Sequence, residues 1–192
     1  MSPLACLRRG ASAAFLAAVV STLSVRPAAA QAAAPALACA EDADYRQLDF
    51  LIGDWEVFRP DGKKHADAHL APALDGCVVT FTWQPLEEGA QHGAGFFTYS
   101  RLRKSLMFLY AGNKGSETAA LRSQGKAGDL GLFVEYPNPH GRGTEVRRMG
   151  LTLMADGSIH ETQQVSDNGG PFKLTFEAFW RKKDDMDTGD RP

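Results

Sequence analysis

His65 and His69 lie four residues apart with Asp67 between them, in KKHADAHLAP. On a helix that spacing puts both imidazoles on one face as a metal pair. Pro72 and the surrounding pattern favour a strand, where the two rings stand about 13 Å apart at roughly 3.3 Å per residue. That is too far to share one ion, so both are expected to face solvent, opposite Ala66, Ala68 and Leu70. No metal site is expected. His92 and His140 sit in glycine-containing turns and take no role. Acid–base chemistry has three candidate pairs: Glu135 with Tyr136, Glu145 with Arg147, and His160 with Glu161. A barrel of this composition supplies such pairs by chance. GxSxG, HExxH, GxGxxG and the P-loop are all missing, so no catalytic residue is assigned.

The chain has three cysteines, Cys6, Cys39 and Cys77. Arg8 and Arg9, the uncharged run 11–25 and the small residues Ala28, Ala29 and Ala30 read as a secretory signal peptide over 1–30. The run is shorter than the roughly 20 residues of a spanning helix, so no stable membrane insertion is expected after cleavage. Cys6 leaves with the leader. Cys39 and Cys77 remain as an even pair in an oxidising compartment and are expected to form a disulfide. No CxxC or nearby histidine offers either one a metal or a reactive role. The expected location is periplasmic or secreted. The formal net charge is −2, and the leader removes arginines only, so the remainder is more acidic. Without a basic stripe, nucleic acid is not an expected partner.

The elements that must position any site are strands. From Phe50 onward, short extended runs are broken by Gly, Pro, Asn and Asp about every ten residues. Strands are expected over 50–59, 64–74, 76–84, 92–101, 104–112, 116–124, 130–137, 142–154, 158–166 and 171–182. Asp-Gly and Asn-Gly pairs between several of them favour tight hairpins. Cys77, Val79, Phe81 and Trp83 share one face, as do Phe172, Leu174, Phe176, Ala178 and Trp180. The fold class is all-β, an up-and-down antiparallel barrel of about ten strands that closes to remove its edges. A short helical turn precedes it near 41–47. The organisation is a flexible leader over 31–40, the barrel domain over 41–183 and a charged, disordered tail over 184–192.

Gly53-Asp54-Trp55 at the start of the first strand, with Trp180-Arg181-Lys182 ending the last, resembles the calycin superfamily of lipocalins, fatty-acid-binding proteins and relatives. The resemblance implies that Trp55 plugs the closed end of the barrel and that Arg181 covers it, an indole face being a good seat for a cation. The chain is also similar to a family of uncharacterised bacterial secreted proteins with a calycin-like barrel. Their pattern is a Cys, then D-F-x-I-G-x-W-x-V, then G-C and an extended run ending in Trp. Here it is carried by Cys39, Asp49-Phe50, Ile52-Gly53, Trp55, Val57, Gly76-Cys77 and Trp83. Where those relatives have another Trp and an Asp in the middle strands, this chain has Arg101-Leu102 and Leu106-Met107-Phe108. That family implies a fold and no activity. Nitrobindin-type haem proteins, also relatives of this barrel, hold iron through a late histidine. By that likeness His160 is the candidate haem ligand, although GDWEVFRPDG lacks their Gly-rich opening.

Barrels of this size can hold one small ligand. Trp83, Phe97, Tyr99, Phe108, Tyr110 and Tyr136 are the expected ligand-binding set, with Phe81 and Phe133 as further inward aromatics. They suit a small apolar molecule with a polar handle, and Arg147 suits an acidic one. The alternatives are a small lumenal enzyme, haem-dependent or acid–base, and a filled barrel with a structural or interaction role.

Overall fold

The computed structural model describes residues 38–183 apart from Ser116, Ala127, Pro139 and His140, and for Glu117–Lys126 the backbone alone. The expected signal peptide over 1–30, the leader as far as residue 37 and the tail over 184–192 lie outside the described residues. Two 3₁₀ turns, Cys39–Glu41 and Asp49–Leu51, flank one short helix, α1 (Ala43–Arg46). Asp42 caps α1 by accepting a hydrogen bond from the Asp44 N–H at 3.0 Å. The strands are β1 (Gly53–Phe58), β2 (Lys64–Ala73), β3 (Val78–Pro85), β4 (Gly93–Ser100) and β5 (Ser105–Gly112). They continue as β6 (Glu117–Lys126), β7 (Asp129–Pro137), β8 (Thr144–Leu153), β9 (Ile159–Asp167) and β10 (Lys173–Lys182).

Each strand pairs antiparallel with its sequence neighbour, and β10 returns to pair with β1, so the sheet closes into a barrel. The first expected strand is corrected: Asp49–Leu51 forms a 3₁₀ turn, and β1 begins at Gly53. Gly53 has φ +142°, while a Cβ there would meet nothing closer than 3.6 Å. Glycine is therefore required by the backbone turn into the barrel and not by space.

The two halves of the barrel differ. At one end the lumen is packed solid. Trp55 is 0% exposed, and its indole N–H donates to the Leu51 carbonyl at 2.8 Å. Leu48, Leu51, Val57 and Ile159 are buried in the same cluster, and Trp180 meets Trp55 edge to face at 6.3 Å. The N-terminal segment is fastened at this end. Cys39 and Cys77 are joined with their sulfurs 2.01 Å apart, which ties the first 3₁₀ turn to the residue before β3. Tyr45 of α1 packs edge-on to Tyr99 at 5.6 Å, and Arg101 reaches Asp42 at 3.0 Å.

Two bulges shape the other end. In the β1–β2 ladder Val57 faces Ala66 but Phe58 faces Lys64, leaving His65 as the extra residue. In the β9–β10 ladder Leu174 faces Gln164 but Phe176 faces Gln163, leaving Thr175 extra. A bulge breaks the period-two alternation and re-aims the side chains around it. The expected common face of Phe172, Leu174, Phe176, Ala178 and Trp180 is corrected accordingly. Phe176, Ala178 and Trp180 turn inward, whereas Leu174 is 53% exposed and Phe172 40%. Among the described residues, no helix is long and apolar enough to cross a membrane.

Candidate functional site

The half of the barrel away from Trp55 encloses a cavity of about 600 Å³. Its floor is aromatic. Phe81 of β3 lies at the centre, with Phe108 at 5.8 Å, Tyr110 at 5.9 Å and Phe97 at 6.2 Å between ring centres. Phe97 and Phe108 stack at 4.3 Å, and Trp180 stacks on Phe81 at 6.2 Å. Trp83 and Phe176 carry the wall toward the mouth. Gly93 lets the Tyr110 ring cross β4, and Gly95 lets the β5 backbone approach closely. A Cβ on Gly93 would sit 2.5 Å from the Tyr110 hydroxyl, and one on Gly95 2.9 Å from the Tyr110 Cα. Ring pairs at such distances each add about 0.5–1.5 kcal/mol beyond simple burial, so the floor is stiff and preformed.

Polar groups enter at two levels. At the mouth, Arg59 continues the inward alternation of Trp55 and Val57 one step past β1 and lines the cavity. Its guanidinium lies over the Phe176 ring at 4.7 Å, with Nη2 3.3 Å from His65 Nε2. A guanidinium can only donate, so Nε2 accepts. Burial, and then the charge of Arg59, lower the His65 pKa below its ordinary 6.5 and keep the ring neutral at pH 7. His65 itself packs against Trp83 at 5.9 Å and Phe176 at 5.7 Å. The expectation that His65 faces solvent is therefore corrected, and the β2 bulge is the cause. His69 stays outside and exposed, 2.8 Å from Asp54.

Deeper in the lumen, Glu161 of β9 is 3% exposed. Its two oxygens accept hydrogen bonds from Gln163 Nε2 at 2.8 Å and from the Trp180 indole N–H at 2.9 Å. Burial raises its pKa above the ordinary 4.5, against these two bonds and the more distant charge of Arg59. On the far wall Arg147 and Glu145 form a pair at 2.5 Å, with the carboxylate buried and the guanidinium half-exposed. No protein-family model matches the chain, and no curated protein matches it.

Of the expected ligand-binding set, Trp83, Phe97, Phe108, Tyr110 and Arg147 converge on this cavity. Tyr99 does not: it packs under α1 at the filled end. Tyr136 stands at the rim beside Arg147, whose guanidinium lies 5.9 Å from its ring, and is not a lining residue. Phe133 alternates outward and is 37% exposed. His160 also points outward, its ring stacked on Phe179 at 4.8 Å and its Nε2 2.9 Å from Glu177. The residue that β9 turns inward there is its neighbour Glu161, so His160 cannot present a nitrogen to the lumen and does not fit a haem held there. Arg181 is corrected too. It lies over Phe58 at 5.0 Å on the outside, and the cation over Trp55 is Lys182 at 5.4 Å. Among the described residues, no three His, Cys, Asp or Glu side chains gather as a metal site.

The sequence reading missed Arg59, Gln163 and Phe176 as lining residues. Each was legible in principle, because alternation from Trp55 reaches Arg59 and alternation from Glu161 reaches Gln163. Phe176 likewise shares the face of Trp180, and the strand without any anchor for its parity was β9.

Proposed function

We propose that this chain is a secreted or periplasmic barrel of the calycin type, with ten strands, that binds one small, largely apolar ligand in its lumen. The observation that carries the reading is the hollow half: about 600 Å³, walled by aromatic rings, with a few polar groups converging on it. Ligand sites of this size and lining bury most of a small guest. The calycin assignment is supported by Trp55 at the packed end of β1 with Lys182 over its ring. Glu161 favours one second reading, a small acid–base enzyme, because a carboxyl of raised pKa inside a cavity is a usable proton donor.

Native mass spectrometry of the mature protein from its own host, paired with an absorption spectrum, tests the proposal. The expected result is one stoichiometric added mass that is lost on denaturation. A bare mass, together with no rise in melting temperature for any hydrophobic ligand at saturation, overturns it, since a binder must stabilise by mass action.

A further inference from the structure

Resting on that reading, we propose that the guest is an aromatic acid, its flat ring system in the lumen and its one anionic group at the mouth against Arg59 and His65. The body follows from the wall. Phe81, Trp83, Phe108, Tyr110, Phe176 and Trp180 present ring faces and edges at 5.8 to 6.5 Å spacing. Such a lining rewards another ring, through offset and edge contacts, more than it rewards a flexible chain.

The anion follows from the charges around the cavity. Arg147 is already neutralised by Glu145, and Arg148, at the cavity's edge, is exposed, donates to Gln164 and lies over the exposed Phe172 ring. Glu161 is satisfied at both oxygens by Gln163 and Trp180. Among the described residues, Arg59 has no carboxylate within 4.0 Å, and its contacts are the Phe176 ring and His65 Nε2. Its position is built. β1 delivers the side chain inward between β2 and β10, and the bulges in those two strands bring His65 and Phe176 to either side of it. Stacked on one face and bonded through one nitrogen, the guanidinium keeps its other donors for a planar anion, which it can meet bidentately. A permanently charged group at the mouth, which the acids Asp61 and Glu161 reach only from a distance, selects a guest that brings an anion within bonding reach.

The test uses two fluorescent probes that share a skeleton and differ in charge, 8-anilinonaphthalene-1-sulfonate and uncharged N-phenyl-1-naphthylamine. In an apolar cavity without an anion seat the uncharged probe binds tighter, because the sulfonate must be desolvated. With Arg59 as the seat, the sulfonate binds the mature protein at least as tightly, one per chain and in competition with the uncharged probe. Arg59→Gln then weakens the sulfonate about tenfold or more and the uncharged probe less than about twofold, as expected for losing a charged hydrogen bond. If the uncharged probe binds at one per chain but outcompetes the sulfonate about tenfold, or if Arg59→Gln weakens both alike, the acid is wrong and the apolar ligand stands. If neither probe binds at one per chain, the lumenal-ligand reading fails and takes this inference with it. The ratio in the parent chain decides the matter even should Arg59→Gln not fold.

Discussion

Trp55 and Arg59 sit four residues apart on the same inward face and do opposite things. Trp55 lies where the lumen is full and lines no part of the cavity, so its role is packing. Truncating a buried Trp costs about 3–5 kcal/mol. Trp55→Ala should lower the unfolding free energy from denaturant titration by that much while leaving the affinity for N-phenyl-1-naphthylamine within about twofold below the new melting temperature. A large loss of affinity in a folded variant would instead make Trp55 part of the ligand site. Lys182 takes the place expected of Arg181 because β10 pairs Lys182 with Trp55 and Arg181 with Glu56, and adjacent residues face opposite sides of the sheet.

At the scale of elements, the bulges and the disulfide are the devices that set the two ends. The bulges turn His65 inward and leave Leu174 outward, against a simple alternation. The disulfide holds the N-terminal turns across the filled end by closing a separation of 38 residues. On a chain-entropy basis a loop of that length stabilises the fold by about 4 kcal/mol. Replacing Cys39 and Cys77 together by Ser should therefore lower the melting temperature by roughly ten degrees, at about 2–4 °C per kcal/mol for a domain of this size. Thermal unfolding followed by circular dichroism checks it. An unchanged melting temperature would mean that packing of Tyr45 and Leu48 alone holds the segment.

For the whole molecule, the main feature is that a rigid, filled half supports a hollow one that contains a carboxyl. Because burial raises the Glu161 pKa, the folded state holds that proton more tightly than the unfolded chain does. The associated stabilisation is complete below the ordinary value of 4.5 and is lost as pH rises through the folded value. Glu161→Gln removes the titration. Its melting temperature should gain on the parent's as pH rises from about 4 to 8, and parallel curves over that range would show that the group does not titrate differently on folding.

Strand existence and approximate spans were readable from the sequence. The expected spans 92–101, 104–112 and 158–166 meet β4, β5 and β9 within one residue at each end, because glycine and turn residues punctuate a period-two pattern there. Readable too was the pairing of Cys39 with Cys77, which followed from setting Cys6 aside with the expected signal peptide and from the oxidising compartment that such a leader implies. The aromatic lining was legible in part: β3 and β5 have unbroken alternation, so Trp83, Phe108 and Tyr110 fell on the correct face. Elsewhere only the tertiary structure could decide. The face of Phe133, His160 and Glu161 depends on a parity that a single-residue slip inverts. The inward turn of His65 depends on a bulge that local composition does not announce. The filled and hollow halves differ because the N-terminal turns and their indole partner occupy one end, and that arrangement joins residues far apart in the chain through contacts that no local pattern contains.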